Sequence, residues 1–137
     1  CPIKNTRQAL LSGNAKMARD NWFTLTNVSD TCSVLLDLIQ DKRHGTFHVT
    51  ANPPISRIEL AEEIMASSSI PDIMSYKKIN FNDLTFPEPR PARAWLSNTK
   101  VTLETGHRFS PPLGTIKQKV SIIEAQLSDP EGMSRCP

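Results

Sequence analysis

Arg90 and Lys100 bracket the segment "RPARAWLSNTK" and are the residues best suited to bind an anion. A guanidinium fork matches the oxygens of a phosphate, and an ammonium adds a second point charge, so together the two cations suit a diphosphate. A plainer reading has Arg90 pair with Glu88 or with a carbonyl and shape its proline-rich loop. Trp22 and Trp95 offer flat faces for a base or a sugar ring, or equally serve as core or interface anchors. His48 is an acid–base group with no positioned partner in the sequence, so catalysis by it is not expected. His44, His48 and His107 lack metal-ligand spacing, and no metal is expected. Cys1, Cys32 and Cys136 are odd in number and form no CxxC pair. Cys32 falls on the apolar face of a predicted helix and reads as a core residue. Cys1 and Cys136 are free to pair, or to stay reduced in a cytosolic protein.

The stretch "GTFHVTANPPISRIELAEEIM", residues 45–65, raises a different possibility. A strand followed by a helix is a common phosphate cradle, provided glycines and bare backbone N–H groups meet the anion. Here the turn is Ala51-Asn52-Pro53-Pro54, with two residues that lack an N–H and no glycine. Ser56 and Glu59 form a capping box that occupies the helix donors, and Glu59 would repel a phosphate. No GxGxxG or GxxxxGK[ST] occurs in the chain. The segment is scaffold, and its helix starts at residue 57.

The elements that would position these residues follow from periodicity. Residues 3–12 suit a short helix stopped by Gly13, and "NWFTLT" (21–26) suits a strand. Val28, Cys32, Leu35, Leu36 and Ile39 recur at helical spacing behind a possible cap at Asn27. "TFHVT" alternates Phe47 and Val49 against His48, which predicts a strand. Residues 67–93 hold four prolines and are mostly irregular, with "KKINF" a possible strand. A helical turn over Ser97–Leu103 ends by Gly106. A last helix opens at Ser110-Pro111-Pro112 and repeats Leu113, Ile116, Val120, Ile123 and Leu127. The expected order is β-α-β-α, irregular chain, then α, an α/β fold with parallel pairing. Residues 1–127 read as one region and 128–137 as a flexible tail.

Composition narrows the function further. Apolar residues make up 38% of the 137 and charged residues 22%, which suits a globular domain. The net charge of +2 comes from bases scattered among acids, so nucleic acid is not an expected partner. No apolar run approaches the ~20 residues of a membrane span, and no signal peptide is visible, so a cytoplasmic or organelle-interior location is expected.

Three segments carry a resemblance. "DNWFTLTNVSD" (20–30), "GTFHVTANPPISRIELAEEI" (45–64) and "RPARAWLSNTKV" (90–101) resemble, in order and spacing, segments of the dTDP-4-dehydrorhamnose reductases. These are sugar-nucleotide reductases among the extended short-chain dehydrogenases. Asp20, Thr26 and Asp30 match the first motif, with Asn21 in the place of a Gln. Phe23 and Leu25 replace its Gly and Pro, and Ala51 replaces a Gly. Arg93, Ala94 and Ser97 replace Asn, Ser and Asp in the last motif. The regulatory subunit of methionine adenosyltransferase, which is non-catalytic, is similar to the same pattern.

The resemblance implies the C-terminal portion of a Rossmann-type fold, with short parallel strands and packed helices. It implies a nucleotide-sugar pocket with Thr26, Arg90 and Lys100 as substrate-binding residues. The family's dinucleotide loop and Tyr-x-x-x-Lys pair have no counterpart here. Tyr76 is the only tyrosine, and Asn80 stands four residues after it. No cofactor is expected on this chain alone; NADP(H) is expected only with an N-terminal half. Two readings therefore stand: the substrate-binding part of an NADPH-dependent reductase, or a regulatory or structural subunit of a larger complex. Either predicts that residues 28–50 meet a partner, the rest of the protein or a larger assembly. The chain's Cys start also reads as a piece of something longer.

Overall fold

The computed structural model describes residues 1–128, and each absence noted below refers to them. From the N-terminus the chain forms α1 (Pro2–Leu11), β1 (Ala15–Ala18), β2 (Trp22–Phe23), α2 (Val28–Gln40) and β3 (Ile55–Ser56). It continues through α3 (Arg57–Ser67), β4 (Tyr76–Ile79), β5 (Arg93–Ala94), α4 (Thr99–Thr105) and α5 (Pro112–Ser128). Single 3₁₀ turns lie at Pro71–Ile73 and Phe81–Asp83.

Helix α1 starts on Pro2, where a missing N–H costs no hydrogen bond. It buries Ile3, Thr6, Arg7 and Leu10, one stripe at helical spacing. In α3 the Ser56 hydroxyl accepts from the Glu59 N–H at 3.1 Å, and the Glu59 carboxylate accepts from the Ser56 N–H at 2.6 Å. The capping box is thus formed, and the helix begins at Arg57 as the sequence predicts. Such a cap contributes about 1 kcal/mol. Leu60, Ala61 and Ile64 of α3 meet Ile116, Val120 and Ile123 of α5, with Leu10, Ala15 and Met17 completing the core. Gly106, in the left-handed region at φ 69°, ends α4 as expected.

The strands are short and form two sheets. β1 and β4 pair in parallel, from Ala15 opposite Tyr76 to Ala18 opposite Ile79. β2 sits between β3, antiparallel, and β5, parallel. The α/β class with short parallel strands and packed helices is therefore observed, although the order opens with a helix. β1 is not among the strands the sequence predicts; its four residues are too few to show a period.

Several expectations are corrected. The strand predicted over 21–26 is only Trp22–Phe23, because β3 and β5 offer just two partner residues each. "TFHVT" forms no strand. Phe47 and Val49 do lie more buried than His48, but the backbone meets no ladder among the described residues. Helix α2 keeps its Asn27 cap, whose side chain accepts from the Ser29 N–H. Cys32, however, is exposed, and only Val34 of α2 is fully buried. In α5, Leu113 and Leu127 face outward, so its buried stripe is Pro112, Ile116, Val120 and Ile123. Cys136 and the tail predicted from 128 onward lie, apart from Ser128, outside the described residues.

One carboxylate ties three helices. Glu124 of α5 accepts from Arg7 of α1 at 3.3 Å, from the Ser68 hydroxyl at 2.6 Å, and from the Ser69 N–H at 3.1 Å, both serines lying just past α3. The Ser68 hydrogen bond is the main reason its carboxyl is held below the ordinary value of 4.5. This contribution to stability is complete above the unfolded-chain value and fades as pH falls through the lower folded value. Glu124→Gln is expected to cost about 2 kcal/mol at pH 7, within the range for hydrogen bonds to a charged group. Urea unfolding checks this: the gap between the two proteins narrows as the pH drops below the unfolded carboxyl's range.

Candidate functional site

The residues flanking β2 build a cavity of about 450 Å³. Lys16, Phe23, Arg57, Phe86 and Arg90 line it, together with Asn21, and its lining holds three cations and no carboxylate. The Arg57 guanidinium lies 4.3 Å from the centre of the Phe23 ring, and that of Arg90 lies 4.9 Å from the Phe86 ring. Phe86 in turn packs against Phe81 at 5.3 Å. Each arginine is thus held by an aromatic face, which positions its charge without neutralising it. Among the described residues neither forms an ion pair. Burial, and then the nearby Arg90 charge, lower the proton affinity of Arg57. A site of this kind favours an anion.

Asn21 sets the geometry. Its Oδ1 accepts from Arg57 Nε at 3.0 Å, and its Nδ2 donates to the Ala92 carbonyl at 2.9 Å. Its own carbonyl accepts from the Arg57 N–H at 3.1 Å. The Ala92 carbonyl also accepts from the Trp22 N–H at 2.8 Å, which uses both of its lone pairs. One side chain therefore joins the start of α3 to the loop that carries Arg90.

The three residues that match the first motif act as braces between distant segments. Asp20 accepts from the Phe81 N–H at 2.6 Å and fixes one aromatic wall of the cavity. The Thr26 hydroxyl accepts from the Ala51 N–H at 3.1 Å and donates to the Thr50 hydroxyl at 3.4 Å. Asp30 accepts from the Ser110 N–H at 2.7 Å, with His107 Nε2 3.5 Å from its other oxygen.

Of the predicted site residues, only Arg90 lines this cavity. Thr26 lines a second one, of about 460 Å³, beside Asn27, Val28 and Lys119. Lys100 lines neither; its ammonium donates to the Thr46 carbonyl at 3.1 Å and lies 4.1 Å from the Phe47 ring centre. The structure does not bring the three together. Arg90 does not pair with Glu88 but stacks on Phe86. Trp22 is half-buried in β2, Trp95 is 40% exposed, and His48 is exposed. No group of three His, Cys, Asp or Glu among the described residues is placed to hold a metal, and no helix among them is long and apolar enough to cross a membrane.

Arg57 is the functional candidate that sequence reasoning missed. Its capping-box position disguises it as scaffold. The available signal was that Leu60 and Ala61 stand three and four residues on, so no carboxylate on its own helix face can neutralise it.

Comparison with known proteins bears on this geometry. The chain is similar in fold to the dTDP-4-dehydrorhamnose reductase, RfbD ortholog, of Clostridium acetobutylicum ATCC 824. Its TM-score is 0.78 and its identity 24%, over 89% of this chain and 43% of that one. For the reductase of Bacillus anthracis str. Ames, solved in complex with NADP, the TM-score is 0.70 and the identity 16%, over 85% of this chain and 40% of that one. For that of Yersinia enterocolitica they are 0.63 and 16%, over 87% and 42%. The chain spans less than half the length of each of these structures. No curated protein matches it. The RmlD substrate binding domain model matches residues 6–121, most of the chain. The chain belongs to the RmlD substrate binding domain family.

Proposed function

We propose that this chain is the nucleotide-sugar-binding part of a protein resembling the dTDP-4-dehydrorhamnose reductases. The observation that carries the reading is the cavity beside β2, with three cations, aromatic walls and no carboxylate. Arg90 meets a phosphate oxygen of the ligand, and Phe81 and Phe86 offer apolar surface to its flat or hydrophobic part. Thr26 holds the turn at Ala51, and Lys100 holds the segment at Thr46 beside it.

NADPH would deliver hydride to a 4-keto sugar in a complete reductase of this kind. The start of α3 does not fit the phosphates of a dinucleotide. The capping box fills the donors at the start of α3, and the turn before it carries Pro53 and Pro54. On this reading cofactor chemistry belongs to another part of the protein. A regulatory or structural subunit is the second reading, favoured by Phe23, Leu25, Arg93, Ala94 and Ser97 at positions where the reductase motifs hold other residues. An intact Gly-rich loop and Tyr-x-x-x-Lys pair in the same polypeptide separate the enzyme from the subunit.

A partner belongs to the same proposal. Val28, Leu36, Ile39 and Leu103 are 75%, 57%, 71% and 79% exposed on α2 and α4. Leaving such surface in water forgoes about 25 cal/mol per Å². The rest of the protein or a larger assembly covers it, meeting residues within 28–50. Light scattering on the isolated chain is expected to show association at tens of micromolar, roughly the range where exposed apolar surface self-associates. A stable monomer would count against the partner.

Calorimetry with dTDP tests the site itself. Arg90→Ala is expected to weaken binding about tenfold or more, the effect of losing a charge-assisted hydrogen bond, with little change in melting temperature. Unchanged affinity would remove Arg90 from the site.

A further inference from the structure

We propose that Arg57 is a second anion-binding residue of this cavity, held by Asn21 beside Arg90 so that the pair selects a diphosphate over a single phosphate. The inference rests on the nucleotide-sugar reading and names the group that discriminates within it. Both arginines line one cavity, and among the described residues neither has a carboxylate partner. Two like charges are unfavourable together until an anion bridges them. A diphosphate presents charge at two phosphorus centres and can face both forks, whereas one phosphate satisfies a single fork.

Three contacts fix Arg57 for this role. Its Nε is taken by Asn21 Oδ1 at 3.0 Å, leaving the terminal nitrogens to donate elsewhere. Its Cζ lies over the Phe23 ring, 4.3 Å from the centroid. Its main chain is clipped to the Asn21 carbonyl at 3.1 Å. Asn21 is therefore a positioning residue for both arginines, through Arg57 directly and through Ala92 for the Arg90 loop. Phe23 supplies the platform at a position where the resembling reductase motif holds glycine, which could offer none. Lys16, the third cation of the lining, has an unbranched flexible stem and does not provide a second fork.

The test is calorimetric titration of the protein with dTDP, dTMP and inorganic pyrophosphate. The native protein is expected to bind dTDP roughly tenfold or more tighter than dTMP, as a second charge-assisted contact would give. In Arg57→Gln the two nucleotides come within about threefold of each other, while dTMP affinity changes less than about twofold. Arg57→Lys, which keeps the charge without the fork, restores part of the preference and keeps the test valid should the Gln variant fold poorly. Asn21→Ala lowers the preference with Arg57 still present. An Arg57→Gln protein that keeps the full preference overturns the clamp and leaves the nucleotide-sugar site standing. Pyrophosphate binding that is lost in Arg57→Gln, with dTDP no tighter than pyrophosphate, supports the clamp and overturns the nucleotide-sugar reading. Failure of all three probes to bind the native protein overturns both.

Discussion

The side-chain amide of Asn21 is the junction on which the candidate site depends. It is a donor and an acceptor on one rigid plane, and each end is used: Nδ2 on the Ala92 carbonyl and Oδ1 on Arg57 Nε. The segments it joins are far apart in sequence, and the strands between them are only two residues long. Strands that short contribute few ladder hydrogen bonds, so side-chain contacts must fix where β3 and β5 lie against β2. Asn21 does this while leaving both guanidiniums without an acidic partner. An aspartate there would hold Arg57 more strongly but would cancel the charge the cavity presents.

The same economy appears in the braces around it. Asp20, Thr26 and Asp30 share one short segment, and each ties it to a loop from elsewhere: Phe81, Ala51 and Ser110. These side-chain acceptors satisfy backbone N–H groups that the short strands and irregular loops leave without a ladder. The apolar core lies among α1, α3 and α5, with Glu124 joining the three helices, and its Met17 also lines the cavity. The core makes the domain stable, and α1 and β1 wall the cavity together with the braced loops. Helices α2 and α4 belong to neither, and their outer apolar side chains remain exposed.

Much of the helical part was legible because its signals are local. The Ser56–Glu59 box lies within one turn, and the stripe Ile116, Val120, Ile123 has a helical period, so α3 and α5 could be placed from residue types alone. Position relative to other elements was not legible. The apolar residues of α2 gave its helix but not which side would be covered; Val34 faces inward while Leu35, Leu36 and Ile39 face out. "TFHVT" has strand alternation, but a strand also needs a neighbour, and sequence alternation cannot supply one. The resemblance named Arg90, and this residue lies on the wall of the cavity. It could not reveal Arg57, which meets Asn21 and Phe23 only because β3 pairs with β2 and carries the first residue of α3 to them.

The central claim is that the acid-free cavity beside β2 receives a diphosphate between two guanidiniums. A crystal structure of the protein grown with dTDP tests it most directly. The account predicts the diphosphate between Arg57 and Arg90, each donating to a different phosphoryl group, with the Asn21–Arg57 hydrogen bond retained. A diphosphate bound elsewhere, or one contacting Arg90 while Arg57 turns away, would contradict it.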